Sequence, residues 1–186
     1  MLAGKTVLIG VTGGVAAHYI PELIGQLRWR HLANVQVIMT PAATRFIAPL
    51  TLQAASGNPV WSDLWAAADQ SPVAHIQLAR LADLVLVAPA TANTIGKVAC
   101  GLADNLLTAI IMATRAPVVL APAMHETMWL NPIVQENVAR LKGLGYYFVG
   151  PERGISSTGE VGEGRMAGLG AIIARLIEIS EAERRA

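Results

Sequence analysis

Lys5-Thr-Val-Leu-Ile-Gly-Val-Thr-Gly-Gly14 is the stretch whose reading decides the fold. The six residues from Thr6 to Val11 are rich in Val, Leu and Ile and lack polar alternation, the pattern of a strand covered on both faces. A glycine turn follows at once, and behind it Val15–Trp29 has helical periodicity, with Pro21 inside to kink or restart it. The segment Met1 to Ala17 has the outline of a signal peptide, but its run into a turn and a helix reads as an opening βα unit.

The same alternation continues along the chain. Strand patterns recur at Val35–Met39, Leu84–Ala88, Val118–Ala121 and Tyr146–Val149. Helical patterns separate them at Ile95–Thr114, Ile133–Leu144 and Gly170–Glu183. Strands joined by helices imply right-handed βαβ crossovers and a doubly wound parallel α/β sheet. Residues 1–186 are expected to form a single domain, with loop-rich stretches at Gly57–Val73 and Gly150–Gly164. The second holds glycines 150, 154, 159, 162 and 164, too many for a buried element, and is expected to be a mobile flap over about 150–166.

Composition narrows the classes. Hydrophobic residues make up 53% and charged residues 15%, with a net charge of +1. So apolar a chain is expected to hide surface between copies as a homo-oligomer. No apolar stretch is long enough to cross a bilayer, and without a basic run nucleic acid is not an expected partner. One cysteine, Cys100, excludes an internal disulfide and a cysteine metal cluster, and no metal is expected. These traits fit a reducing cytoplasm.

In open parallel sheets ligands bind outside the carboxyl ends of the strands. Three such ends are unusual here. Gly10-Val-Thr-Gly-Gly14 opens a helix, and reads equally as a tight turn or as a phosphate cradle of free N–H groups. Thr40-Pro-Ala-Ala offers a hydroxyl or a plain cap, and Pro89-Ala-Thr-Ala-Asn-Thr94 offers two hydroxyls and an amide. Neutral donors without a P-loop lysine suit a monophosphate ester better than a triphosphate.

Pro89-Ala-Thr-Ala-Asn-Thr94 resembles the PASANT motif of the homo-oligomeric flavin-containing cysteine decarboxylases. Pro122-Ala-Met-His-Glu-Thr-Met-Trp129 resembles that family's PxMNxxMW motif, and the resemblance covers nearly the whole chain. It implies a flavodoxin-like subunit, trimers or trimer-based dodecamers, and FMN at a subunit interface. The implied FMN contacts are Gly13, Gly14, Val15, Thr40, Phe46, Pro89, Ala90, Thr91, Asn93, Thr94, Ala123 and Met124. The implied chemistry is oxidation of a cysteine CH₂–SH group, which creates an electron acceptor β to the carboxylate and releases CO₂.

His75 is then the implied base, although a lone histidine at a helix start is more often a cap. Asn93 is a further catalytic candidate. His125 stands where the family has Asn and is expected to hold the substrate carboxylate. Met128 and Trp129 would line the substrate cleft, and Cys100 is read as a small buried residue. Thr158 stands where phosphopantothenoylcysteine decarboxylases of coenzyme A synthesis carry a flap cysteine in a run similar to Leu-Ala-Cys-Gly. A threonine is no redox thiol. The expected function is therefore oxidative decarboxylation of a peptide's C-terminal cysteine to an ene-thiol. The alternatives are phosphopantothenoylcysteine decarboxylase and a non-catalytic FMN-binding regulatory subunit.

Overall fold

The computed structural model describes residues 1–65, 73–155 and 159–184. The chain begins with β1 (Thr6–Val11), a 3-10 turn at Val15–Tyr19 and α1 (Ile20–Trp29). Pro21 sits in the first turn of α1, where its missing N–H costs nothing, so the expected interruption is a restart. Then come β2 (Asn34–Met39), α2 (Pro49–Ser56), β3 (Val60–Trp61), α3 (Ala74–Leu81), β4 (Leu84–Ala90), α4 (Ala92–Ala99) and α5 (Leu106–Ala113). The chain continues through β5 (Val118–Pro122), α6 (Glu126–Trp129), α7 (Pro132–Gly143), β6 (Tyr147–Phe148), β7 (Glu152–Ile155), β8 (Val161–Arg165) and α8 (Leu169–Glu183).

The main sheet has the order β3-β2-β1-β4-β5-β6 and every pairing is parallel. Leaving aside the two-residue edge strand β3, the other five follow the flavodoxin-like order 2-1-3-4-5. The strand direction of travel reverses between β1 and β4, so the switch point lies where Val11 and Ala90 end. Lys5 Nζ and the Thr6 N–H both bind the Asp83 carboxylate, at 2.7 and 2.8 Å, and tie the opposite ends of these two strands together.

Both faces of the sheet are buried, which explains the lack of polar alternation. Val7, Ile9 and Val11 face α1 and α8, where Ile172, Ile173, Leu176 and Ile179 form one buried stripe. Leu8 and the other side of β4 face the helices α3, α4, α5 and α7. Gly10 makes room on that side for Leu107, whose Cδ1 would lie 2.3 Å from a Cβ there and would have to shift.

Several expectations need correction. The helical pattern Ile95–Thr114 is two helices, split where Gly101 turns the chain at φ +70° and where Asn105 and Thr108 form a capping box for α5. Cys100 is exposed, because α4 ends before it and the turn carries it outward. The stretch Gly57–Val73 contains β3, and residues 66–72 lie outside the described residues. The glycine-rich flap is an antiparallel ribbon of β7 and β8, largely exposed. Among the described residues no helix is long and apolar enough to cross a membrane.

Candidate functional site

Past the switch point opens a cavity of about 940 Å³, the upper end of the ~300–1,000 Å³ typical of small-molecule sites. Its floor is built from the three strand ends that the sequence singles out. After β1, Gly13 approaches the β2 loop so closely that a Cβ on it would lie 2.6 Å from Ala42 Cβ. The chain then enters the 3-10 turn at Val15, whose first N–H groups have no partner inside the turn. After β2, Thr40 Oγ1 accepts the Ala43 N–H at 3.3 Å within the turn, while the N-cap of the 3-10 turn at Ala43–Arg45 is Ala42, without a side-chain cap bond. After β4, Thr91 caps α4 by accepting the Thr94 N–H, and the two threonine hydroxyls meet at 3.2 Å.

One residue that the sequence reading passed over links these loops. Thr12 is 1% exposed. Its hydroxyl donates to Pro89 O at 2.5 Å and accepts the Thr91 N–H at 3.3 Å. Thr12 thus clamps the end of β1 to the end of β4. Pro89 interrupts the ladder there, with a register shift between Val87 and Ala90.

The opposite wall comes from Ala123, Met124, His125 and Met128, around the start of α6. The ribbon closes over them. Met124 N–H donates to Gly164 O and Glu163 N–H donates to Glu126 Oε1, each at 2.9 Å. Gly164 has φ +151°, and a Cβ there would stand 2.0 Å from Met124 O, so only glycine permits this contact. His125 caps α6 through Nδ1, which accepts the Thr127 N–H, and its Nε2 lies 2.7 Å from Glu160 Oε2. At the rim, Lys97 is paired with Asp104 at 2.5 Å. That carboxyl sits below the usual range, chiefly through its hydrogen bond from Lys97.

Most of the expected site residues come together here. Gly13, Gly14, Val15, Thr40, Phe46, Thr91, Asn93, Thr94, Ala123 and Met124 line the cavity, as do His125 and Met128. Pro89 and Ala90 do not line it; both are buried within β4. Trp129 instead packs against the core on the α7 side. His75 is half-buried on the first turn of α3 and does not line its own chain's cavity. Thr158 lies outside the described residues. Besides Thr12, the sequence reading missed Glu160, because a partner 35 residues from His125 leaves no local signal.

A family model described as Flavoprotein matches residues 1–180. The chain belongs to the Flavoprotein family. Within that family it is 50% identical over 165 residues to the coenzyme A biosynthesis bifunctional protein CoaBC of Vibrio cholerae, a match covering 89% of this chain and 41% of the relative. It is 46% identical over 165 residues to the Escherichia coli CoaBC, with 89% and 40% covered. The chain thus spans about 41% of the length of the curated relatives it matches. Among solved structures, the FMN-dependent cysteine decarboxylase SpaF superposes with TM-score 0.84 at 34% identity, covering 97% of this chain and 99% of that one. A PPC decarboxylase mutant complexed with pantothenoylaminoethenethiol gives TM-score 0.87 at 33% identity, covering 95% and 98%.

These relatives overturn the expected peptide substrate. Identity of 43–50% runs to CoaBC proteins, against 34% and 28% for the cysteine decarboxylases SpaF and TvaF. The peptide reading leans chiefly on Thr158. A single missing thiol bears on how a product is finished; it does not describe the cavity that selects the substrate.

Proposed function

We propose that this chain is the FMN-dependent decarboxylase of phosphopantothenoylcysteine, the cysteine-bearing intermediate of coenzyme A synthesis. The observation that carries the reading is the cavity at the β1/β4 switch point, in a chain 50% identical over 165 residues to a CoaBC protein. FMN fits the residues present. Glycine backbone at Gly13 and Gly14, the 3-10 turn at Val15 and the hydroxyls of Thr40, Thr91 and Thr94 form a neutral cradle for a phosphate monoester. Phe46, Ala123 and Met124 offer apolar and aromatic surface to a ring system.

Bound FMN supplies the hydride-accepting centre that an ordinary cysteine carboxylate lacks. The chain's own residues bind, orient and handle protons. Met124 and Met128 exclude water from the thiol-bearing carbon, and Asn93, exposed on the first turn of α4, offers an amide to the substrate. His125 presents an Nε2–H toward the cavity, a donor suited to the leaving carboxylate.

His75 is the base that accepts the thiol proton, and it works in a neighbouring copy's cavity. Two observations support this placement: His75 is absent from its own cavity, and exposed apolar side chains such as Leu50, Trp65, Met112 and Ile133 call for burial between copies. The assembly is a homo-oligomer, a trimer or a dodecamer built from trimers, with FMN at the interface.

The test is mass spectrometry of two substrates offered to the purified yellow protein. Phosphopantothenoylcysteine is expected to lose its carboxyl group while a peptide ending in cysteine is left intact. Consumption of the peptide with phosphopantothenoylcysteine untouched would sink the proposal.

A further inference from the structure

The β7–β8 ribbon meets the start of α6 through three contacts. Gly164 O accepts the Met124 N–H, the Glu163 N–H goes to Glu126, and Glu160 reaches His125. The first two use ribbon backbone and fix its root. The third is made by two side chains, and both line the cavity.

The His125 ring is oriented by its own helix. Thr127 N–H can only donate, so Nδ1 must accept, and the neutral ring carries its proton on Nε2. The Thr127 hydroxyl, 2.9 Å from Nδ1, adds a second anchor on the same side. Nε2–H therefore donates to Glu160 Oε2 at 2.7 Å, within the range of a charge-assisted bond. A carboxylate oxygen already sits on the one N–H that faces the space a substrate enters.

We propose that Glu160 is a positioning residue that stands in for the substrate carboxylate on His125 until the substrate displaces it. This deepens the reading above and rests on it for the role of His125. The exchange is carboxylate for carboxylate on one donor, so the ring gains no unpaired group and need not turn. On the ribbon side the Glu160 side chain is 70% exposed, so the displaced carboxylate meets solvent rather than a desolvated void. Two cations also line the cavity, Lys97, which is paired with Asp104, and Arg165 on the ribbon. Ligands that carry an α-carboxylate next to an amide displace Glu160, whereas the decarboxylated product, lacking that group, lets it return.

The experiment uses the FMN-loaded protein with ring-labelled histidine, read by NMR. The probes are N-acetylserine, which keeps amide and carboxylate and has no thiol to oxidise, and N-acetylethanolamine, the same molecule without the carboxylate. N-acetylserine is expected to move the His125 signal of the wild type and to bind about two- to fivefold tighter in Glu160→Gln and Glu160→Ala, the range of an exposed ion pair. N-acetylethanolamine is expected to leave that signal in place in all three proteins. Weaker N-acetylserine binding in both variants, or an equal response to the two probes, would overturn the proposal; so would no response to N-acetylserine. Both probes are independent of the pantothenoyl moiety, so a failure to decarboxylate phosphopantothenoylcysteine would refute the substrate assignment alone.

Discussion

Replacing Thr12 by valine keeps the shape of the side chain and removes its oxygen. The Pro89 carbonyl then loses the hydroxyl that donates to it, and the Thr91 N–H loses its acceptor. Thr12 is 1% exposed, so water cannot take over at its position. An orphaned buried polar group costs about 1–3 kcal/mol, and Thr91 is only part-buried, so the two together amount to about 2–4 kcal/mol. For a chain of this size each kcal/mol lowers Tm by about 2–4 °C, giving a drop of roughly 6–12 °C at the middle of that range. The assay is a thermal melt of flavin-stripped protein, so that ligand binding does not contribute. Thr12→Ser keeps the oxygen and loses one methyl, about 1 kcal/mol, and should fall between wild type and Thr12→Val. The clamp is refuted if Thr12→Val melts with wild type, or if serine is as damaging as valine.

Three further outcomes follow from the geometry. Gly164→Ala forces a Cβ onto Met124 O at a positive φ, an expected loss of about 2–4 kcal/mol, seen as faster limited proteolysis of the 150–166 ribbon. Partial burial works against the charge on Asp83, yet the hydrogen bonds from Lys5 and Thr6 prevail and hold its carboxyl below the usual range. A depressed folded-state value stabilises above the ordinary carboxylate range and is lost as pH falls through the folded value. Asp83→Asn should therefore flatten the acid limb of a stability–pH profile, and an unchanged limb contradicts the pairing. His75→Asn should keep bound FMN and abolish CO₂ release, and mixing it with His125→Leu should restore part of the turnover if copies share sites; full activity of His75→Asn alone contradicts its role as base.

The run from Thr6 to Gly14 made the βα opening and the switch point legible, because buried parallel strands need unbroken apolar runs and close loop contacts need glycine. The motif loops at Thr91 and His125 were legible as loops for the same reason. Ile95–Thr114 misled because its apolar spacing continues through the turn, while the signals that divide it, Gly101 and the Asn105–Thr108 capping box, are single residues. Thr12 hid at a strand end, where a hydroxyl looks like any β-branched residue until the neighbouring strand is in place. His75 sits on α3 outside its own chain's cavity, and nothing in a single sequence says whether a residue serves its own copy or another. The substrate was misread because one position, Thr158, was weighed above the resemblance of the whole chain.

The most direct test of the account is titration of FMN and riboflavin into flavin-stripped protein, followed by quenching of flavin fluorescence. FMN should bind one per chain and riboflavin, which lacks the phosphate, at least about tenfold more weakly, roughly 1.4 kcal/mol. A protein that stays colourless with FMN, or that holds riboflavin equally well, would contradict a phosphate cradle at Gly13, Gly14 and Thr91.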